Sequence, residues 1–266
     1  MKIMKVKKLF SILIALTLVF SVMFTLGSCS KQITVDSIKE AGKLKMGTES
    51  GFAPFEYIEG GEIVGIDIDI ANEIVSRWEV ELEIQDMDFS AVLTAVSSGV
   101  VDIGLAGITR TEERMKNMDF SEPYFVAYQV IVVRNDSDIT GRNDLVGKTV
   151  GAQLGTTGED LAIEIVGESN VIGYDKYIMA VQDLRNGQID AIIMDNLPAQ
   201  GHVDKNADEI KYLDTPIGED NYCIAMKKGS DDLKKAIDDI LNELKSSGRL
   251  DEIILNYENA FTELDD

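Results

Sequence analysis

An arginine at the start of a predicted helix has a position that calls for a chemical reason. The apolar run "VVDIGLAGI" continues into "TRTEERM", residues 109–115. This pattern predicts a buried strand and then the first turn of a helix, with Thr111 as its N-cap. Glu112 and Glu113 suit that turn, because the helix dipole favours anions at its N-terminus. Arg114 opposes the dipole, so helix formation does not explain it.

Residue types for nucleophilic catalysis or metal binding are scarce. His202 is the one histidine, so a serine or cysteine nucleophile lacks a natural base, and no zinc site is expected. Cys223 in "NYCIAM", a predicted strand, is expected to be a small buried apolar residue. "LGTTGED" has a phosphate-loop alternative, but no Gly-Lys-Ser/Thr follows it. We therefore expect no metal and no cofactor.

Weak internal repetition predicts two lobes of similar design, with one large domain as the alternative. "TAVSSGVVDIGLAGIT" (94–109) aligns without gaps with "QDLRNGQIDAIIMDNL" (182–197). "GKLKMGTESG" (42–51) and "GKTVGAQLGT" (147–156) form a second pair in the same order. The first pair has a helix end, a glycine and a short strand, and the second has a short strand and a turn. The predicted fold class is α/β.

Helices are predicted between the strands, so that each lobe packs helices on a largely parallel sheet. Apolar residues recur at helical spacing in "AVLTAVSSG", "DLAIEIVGES" and "IMAVQDLRNG". They do so again after Ser230, the predicted cap of a helix that Gly248 separates from the next one.

Chemically active side chains follow the predicted strand ends. Ligands of open α/β sheets bind beyond the C-terminal ends of the strands. Those ends are residues 49–52 and 107–111 in one lobe, and residues 153–158 and 194–195 in the other. One lobe thus offers a cation and hydroxyls, and the other offers a carboxylate. A zwitterion held between the lobes needs that arrangement.

The N-terminus has the order of a secretory signal peptide. "MKIMKVKK" is basic, and "LFSILIALTLVFSVMFTLG" is almost entirely apolar and ends in small residues, as is typical of such peptides. A single transmembrane anchor is the alternative, because the stretch is near the length of a span. "LGSC", residues 26–29, resembles the lipobox of bacterial lipoproteins. We therefore expect residues 1–28 to be removed and Cys29 to carry lipid such as palmitate, which leaves no internal disulfide.

The expected mature chain is strongly acidic. The full sequence has 25 basic and 47 acidic side chains and a net charge of -22. Residues 1–28 contain four lysines and no acid, so their removal leaves about -26. Such a chain is not expected to bind nucleic acid, and an anionic membrane surface should repel it. Contact with the membrane is expected through the lipid anchor.

From "AGKLKMGTESGFAPFEY" to "LDEIILNYENAF" the chain resembles the family 3 extracellular solute-binding proteins, the polar amino acid receptors of ABC importers. The most specific match is "GIDIDIANEIV", residues 65–75. Its alternation alone predicts a strand over residues 66–70, but the family begins a helix there, which implies Asp67 as the N-cap. Further matches are "MDFSAVLTAVSSGVVDIGLAGITRTEER" and "MDFSEPYF".

The resemblance implies the periplasmic binding protein type II fold. In that fold two similar α/β lobes are joined by two hinge crossings and enclose a ligand cleft. Lobe 1 would comprise residues 29–125 and 223–266, and lobe 2 would comprise residues 126–222. "QVIVVRND" and "NYCIAMKKG" are the strands expected to pass between the lobes.

The resemblance also implies how the ligand's α-groups are bound. Arg114 falls on the family's carboxylate-binding arginine, whose planar fork takes both oxygens. Thr109 and Gly107 fall on its hydroxyl and backbone partners, and Asp195 falls on the acid that accepts the α-ammonium group. A bound α-carboxylate would explain the cation at the helix start. Arg110 has no such role and is expected to be a solvated surface charge.

Further positions match contacts around the ligand's side chain. Thr157 and the backbone of Gln153 match the "GTT" loop of the second lobe. Phe52 and Phe89 match aromatic positions that sandwich the side chain, with core packing as the alternative for Phe89. Glu49 stands where relatives often carry Asp, at the far end of the side chain. A carboxylate there favours the cationic tip of arginine or lysine, and glutamine is the alternative.

The expected function is the capture of a free polar, basic amino acid by a lipid-anchored substrate-binding protein, not an enzyme. It would deliver its ligand to a cognate ABC permease and ATPase, as a monomer facing the extracellular or periplasmic space. One rival is a periplasmic cyclohexadienyl or arogenate dehydratase on the same fold, with Glu49 as its acid or base. The other is a sensor input domain, although "TELDD" is followed by no signalling module.

Overall fold

The computed structural model describes residues 32–262, and the predicted signal peptide and Cys29 lie outside them. Helices and strands alternate along most of the chain, as the sequence predicts. The helices in this part are α1 (Val35–Ala41), α2 (Ile66–Trp78), α3 (Phe89–Ser98), α4 (Glu112–Met115), α5 (Thr157–Val166), α6 (Tyr177–Arg185), α7 (Asn196–Asp204), α8 (Asp231–Ser247) and α9 (Arg249–Thr262). The strands are β1 (Lys43–Thr48), β2 (Gly51–Phe52), β3 (Glu56–Glu59), β4 (Glu62–Val64), β5 (Glu81–Asp86), β6 (Ile103–Gly104), β7 (Met118–Phe120), β8 (Phe125–Arg134), β9 (Val150–Gln153), β10 (Val171–Tyr174), β11 (Ala191–Asp195), β12 (Ile210–Tyr212), β13 (Gly218–Tyr222) and β14 (Ala225–Lys227).

The first sheet has the strand order β5-β1-β6-β14-β7. β5, β1 and β6 are parallel, whereas β14 runs antiparallel to β6 and β7. Leu44, Met46 and Ile103 are fully buried in this sheet, as expected for parallel strands covered on both faces. We call this sheet and the helices packed on it lobe 1.

The second sheet has the strand order β10-β9-β11-β8-β12, and β13 also pairs with β8. β10, β9 and β11 are parallel, and β8 runs antiparallel to β11, β12 and β13. We call this sheet and its helices lobe 2. One strand in each sheet runs against all the others, β14 in the first sheet and β8 in the second. The prediction of largely parallel sheets is therefore right for strand direction, although β7, β12 and β13 make antiparallel pairs because the neighbour of each is the reversed strand.

Two chain segments cross between the lobes side by side. β8 enters lobe 2 directly after β7, and β13 leaves it directly before β14. Phe125 and Tyr222 are paired residues of β8 and β13, and the Tyr124 N–H donates to the Tyr222 carbonyl at 2.8 Å. The predicted strand over "NYCIAM" is interrupted at Cys223, which is a free, fully buried thiol as expected.

Aromatic rings fill the space where the crossings meet lobe 1. Tyr222 is fully buried, and its ring centroid lies 5.0 Å from that of Phe55, 5.8 Å from that of Phe125 and 6.4 Å from that of Phe52. Aromatic groups of this size dominate the energy of a local core. The crossings are therefore anchored by packing as well as by strand pairing.

The predicted helices are confirmed, with one error in a cap. Ser230 precedes α8, and Gly248 ends it in the left-handed conformation before α9 begins. α2 begins at Ile66 as the resemblance implies, but its N-cap is Gly65 and no side chain caps it. The expected N-cap role of Asp67 is therefore wrong. This residue lies one position inside the helix and turns its carboxylate inward.

Gly65 is required by both its conformation and its surroundings. Its φ is 138°, and a Cβ added there would lie 2.1 Å from the Phe55 carbonyl oxygen. We expect Gly65→Ala to reduce the free energy of unfolding by about 3 kcal/mol or more, since strain and a backbone clash add together. Urea denaturation followed by circular dichroism measures the loss.

Gly61→Ala is the matched control for this variant. Gly61 also has a positive φ, 92°, but nothing lies within 4 Å of an added Cβ. We expect a loss of about 1–2 kcal/mol, from backbone strain alone. Equal losses in the two variants would show that the space beside Phe55 does not constrain residue 65.

Candidate functional site

A cavity lies between the lobes, at the C-terminal ends of β1, β6, β9 and β11. Its empty volume is about 300 Å³. All nine residues predicted to bind the ligand line it, together with two that were not predicted, Ala106 and Thr156. The nine are Glu49, Phe52, Phe89, Gly107, Thr109, Arg114, Gln153, Thr157 and Asp195.

Arg114 reaches from lobe 1 to lobe 2 at one end of the cavity. Its Nη1 donates to the Thr109 carbonyl at 2.7 Å, and its Nη2 donates to the Gly155 carbonyl at 2.9 Å. The guanidinium also lies over the Phe89 ring, 5.5 Å from the ring centroid, at a distance suited to a cation–π contact. Burial lowers the pKa of Arg114, but a guanidinium stays charged in proteins.

The helix that carries Arg114 is shorter than expected. Thr111 is the N-cap, as predicted, and its hydroxyl accepts from the Arg114 N–H at 3.2 Å. α4 is a single turn, so its first and last turns coincide and it has little dipole to oppose a cation. The predicted dipole mismatch is therefore wrong. Arg110 is exposed, as expected.

Gly107 is held by two buried groups beneath the cavity. The Asp67 Oδ2 accepts from the Gly107 N–H at 3.1 Å and from the Tyr124 hydroxyl at 2.9 Å. The φ of Gly107 is 55°, and an added Cβ would lie 2.7 Å from the Phe52 ring. Burial raises the pKa of Asp67 to about 6 and that of its neighbour Glu56 well above the ordinary range. Asp67 thus fixes the backbone that lines lobe 1.

Two carboxylates lie together on the lobe 2 side. The Gln129 Nε2 donates to Asp195 Oδ1 at 2.9 Å and to Asp220 Oδ2 at 2.7 Å. The Thr157 hydroxyl also donates to Asp220, at 2.9 Å. Burial, together with the charge of Asp220, raises the pKa of Asp195 to about 8. Among residues 32–262 the side chains that donate to the pair are neutral, so the pair favours a positive ligand group.

Gln129 and Asp220 were missed by the sequence analysis. Gln129 stands at the head of the apolar run "QVIVV", and a polar residue in a buried strand was a usable signal. Asp220 lies among the polar residues of "GEDNY", where nothing marks it as buried. The pairing of β13 with β8 brings it to Gln129 and to Thr157, which lines the cavity.

Glu49 also lines the cavity from lobe 1, and its carboxylate is almost fully buried. The Gln153 Nε2 donates to Glu49 Oε2 at 3.4 Å and to the Asp175 carbonyl at 2.8 Å. Lys176 of lobe 2, which was not predicted, places its Nζ 3.4 Å from Glu49 Oε1. Burial raises the pKa of Glu49, and Lys176 opposes that rise.

The two predicted aromatic residues are both packed in the core and exposed to the cavity. Phe52 is 6% exposed and stacks on Tyr177, with the ring centroids 6.2 Å apart. Phe89 is also 6% exposed and belongs to a lobe 1 core cluster. Phe89 therefore packs in the core of lobe 1 and also lines the cavity.

No group of three potential metal ligands occurs among residues 32–262. His202 is not among the residues that line the cavity, and burial lowers its pKa to about 4. Burial raises the pKa of Cys223 to about 11.

Among residues 32–262, every helix is too short or too polar to span a bilayer.

Two α/β lobes joined by two crossings, with a polar cavity between them, define a class of small-molecule binding proteins that close around a ligand. The family model of the bacterial extracellular solute-binding proteins, family 3, matches residues 44–260. The arginine-binding extracellular protein ArtP of Bacillus subtilis (strain 168) is 36% identical over 236 residues, covering 86% of this chain and 91% of that protein. The L-cystine-binding protein TcyJ of Escherichia coli (strain K12) is 32% identical over 219 residues, covering 81% of this chain and 82% of that protein.

Solved structures have the same fold. A mutant of ArgBP from T. maritima superposes with a TM-score of 0.80 at 39% identity, covering 85% of this chain and 100% of that chain. The AbpA protein of Streptococcus pneumoniae bound to L-arginine superposes with a TM-score of 0.79 at 38% identity, covering 85% of this chain and 98% of that chain. The chain belongs to the bacterial extracellular solute-binding proteins, family 3, and has the type II periplasmic binding protein fold.

The buried Asp195 should make the stability of the ligand-free protein depend on pH. Its carboxyl keeps a proton in the native state up to about pH 8, whereas in the unfolded chain it loses the proton near pH 4. Stability should therefore fall between these values as the pH rises, by at most about 1.4 kcal/mol per pH unit. Asp195→Asn removes the titration, so the variant should gain stability relative to the parent from pH 5 to pH 8.

Chemical denaturation at several pH values measures this gain. Asp214→Asn is the matched control, because Asp214 is an exposed acid of the same lobe. Its difference from the parent should be small and independent of pH. A difference for Asp195→Asn that is constant from pH 5 to pH 8 would contradict a raised pKa at this residue.

Proposed function

We propose that this protein captures a polar amino acid between its two lobes. The observation that carries the proposal is the charge pattern of the cavity. A guanidinium faces it from lobe 1, and the Asp195 carboxylate, which shares the Gln129 amide with Asp220, faces it from lobe 2. A zwitterion is the small molecule that satisfies both walls at once.

The α-carboxylate would bind Arg114. Two of that residue's donors now serve backbone carbonyls, and a carboxylate is a stronger partner for a planar guanidinium. Thr109 and the Gly107 backbone line the same part of the cavity and would complete the carboxylate site.

The α-ammonium group would bind Asp195 in lobe 2. Asp195 is buried and has a raised pKa, so an ammonium group would favour its ionised form. Thr157 and Gln153 line the lobe 2 side of the cavity, and they would contact the ligand backbone. Since the two α-groups bind different lobes, the ligand stabilises the closed arrangement.

The ligand's side chain would run between Phe52 and Phe89 toward Glu49. A buried carboxylate at that end favours a cationic tip, and several relatives are arginine-binding proteins. We therefore propose arginine as the first candidate, with lysine next. Glutamine is the neutral alternative, in keeping with the glutamine-binding GlnH of Bacillus subtilis (strain 168), which is 34% identical.

We infer a binding protein and not an enzyme. The relatives named above are binding proteins, which speaks against the dehydratase alternative. Lobe 1 is proposed to comprise residues 29–125 and 223–266, and lobe 2 residues 126–222, so that the boundaries fall in the paired crossings. The loaded protein would act as a monomer and deliver its ligand to a cognate ABC permease and its ATPase.

The protein would face the extracellular or periplasmic space. Membership of an extracellular solute-binding family supports that location, and the basic and apolar N-terminal segment supports secretion. The lipobox-like "LGSC" supports a lipid on Cys29. A lipid anchor would keep the protein near its permease.

Substitution of Arg114 tests the carboxylate site. Arg114→Ala should weaken binding by about 2–5 kcal/mol, a loss of roughly thirty- to several-thousand-fold. Arg114→Lys should fail as well, because an ammonium cannot present a two-pronged donor. A thermal-shift screen of the twenty amino acids identifies the ligand. Calorimetric titration with that amino acid then measures both losses.

Arg110→Ala is the matched control for Arg114, since Arg110 is exposed on the same segment. Its affinity should stay close to that of the parent. Equal losses at residues 110 and 114, with both variants folded by circular dichroism, would contradict a carboxylate site at Arg114. Absence of a thermal shift with all twenty amino acids would contradict the proposed function itself.

Substitution of Cys29 tests the anchor. Cys29→Ala should move the protein from the membrane fraction to the soluble fraction or the medium, because several acyl chains anchor a protein stably and none remain. Fractionation with immunodetection measures the distribution. If the variant stays with the membrane as tightly as the parent, the N-terminal segment is a transmembrane anchor.

A further inference from the structure

Lys176 of lobe 2 contacts the carboxylate of Glu49, which lines the cavity from lobe 1. Lys176 precedes α6, and its Nζ lies 3.4 Å from Glu49 Oε1. The side chain of Glu49 is 3% exposed, whereas that of Lys176 is 38% exposed. The two residues form an ion pair across the cleft, with its anion inside and its cation at the rim.

We propose that Lys176 is a specificity-determining residue, which offsets the negative charge of Glu49 at the side-chain end of the cavity. Through its positive charge it reduces the preference for a cationic ligand tip over a neutral one of the same shape. This inference rests on the proposed binding of an amino acid whose side chain points toward Glu49. It adds a residue of lobe 2 to the determinants of ligand choice.

The other groups that act on Glu49 are a neutral amide and a further acid. Gln153, which donates to Glu49 Oε2, is neutral. Asp86 is the further acid whose charge acts on Glu49, and its carboxylate accepts from the Ser50 N–H at 2.9 Å and from the Ser50 hydroxyl at 2.7 Å. Lys176 is therefore the cation that offsets Glu49 at this end.

The consequence for a ligand follows from Coulomb's law. A guanidinium near Glu49 is attracted by the carboxylate and repelled by the Lys176 ammonium, so part of the attraction is cancelled. A neutral ureido or amide tip is almost indifferent to the lysine's charge. Removal of the charge at residue 176 should therefore improve the binding of cations relative to neutral analogues.

The test compares arginine with citrulline, its neutral ureido analogue of nearly the same shape. Calorimetry gives the ratio of the Kd of citrulline to the Kd of arginine in each variant. Lys176→Met should raise this ratio about two- to fivefold, the range expected for a partly exposed charge. Lys176→Arg keeps the charge and should leave the ratio close to that of the parent.

Substitution of Glu49 should change the ratio of the two Kd values in the opposite direction. Glu49→Gln leaves Lys176 uncompensated, so the ratio should fall below that of the parent. The double variant removes both charges of the pair, so its ratio should return toward the parent's. The predicted order of the ratio is Lys176→Met, then the parent and the double variant, then Glu49→Gln.

Lys148→Met is the matched control. Lys148 is a lobe 2 lysine whose side chain is 34% exposed and is paired with Asp138 at 3.6 Å, and it is not among the residues lining the cavity. Its ratio should equal the parent's. If Lys176→Met changes both Kd values equally and leaves the ratio unchanged, Lys176 only clamps the lobes and the proposal is overturned. Failure of the parent to bind either ligand would overturn this inference together with arginine as the first candidate, whereas the proposed function itself is contradicted only if none of the twenty amino acids gives a thermal shift.

Discussion

The pairing of the two crossings is the constraint on which the rest of the molecule depends. β8 and β13 run antiparallel beside each other, and Tyr222 packs their junction against the aromatic core of lobe 1. Because both lobes are held at this one place, the C-terminal ends of their parallel strands face the same space. Every residue of the cavity wall comes from those strand ends, from the loops after them or from the start of a following helix.

Burial then determines what that space can hold. Asp195, Glu49 and Asp67 all have pKa values raised chiefly by the loss of water. A buried carboxylate without a cation is costly, and a cation bound beside it reduces that cost. Asp67 resolves this internally by accepting from the Gly107 backbone. Asp195 accepts from the neutral amide of Gln129. An ammonium group of a ligand would therefore stabilise the ionised form of Asp195 more than that of Asp67.

Much of this could be predicted from the sequence, because strand ends in α/β folds are marked by local patterns. Glycine and threonine after short apolar runs identified the cavity loops, and Arg114 stood out by its charge. The family resemblance supplied the individual roles. The predictions that failed depended on the exact length and start of a helix or on the pairing of distant strands. The dipole argument failed because α4 has a single turn, and the capping role of Asp67 failed because its carboxylate is used inside the core.

Residues that reach the site only through tertiary contacts have no recognisable pattern in the sequence around them. Asp220 reaches Gln129 and Thr157 through the pairing of β13 with β8, and Lys176 reaches Glu49 only because the lobes face each other. No spacing in the sequence encodes such a meeting. The same reason explains why one strand of each sheet is reversed, since direction is set by where the chain crosses and returns.

A crystal structure with the tightest-binding amino acid tests the central claim most directly. The α-carboxylate should lie within hydrogen-bond distance of the Arg114 guanidinium, and the α-ammonium group within the same distance of Asp195. Both contacts should be present in one closed molecule. A ligand with its α-groups at Glu49 and its side chain toward Arg114, or one bound to a single lobe, would contradict the claim that a zwitterion bridges the two walls.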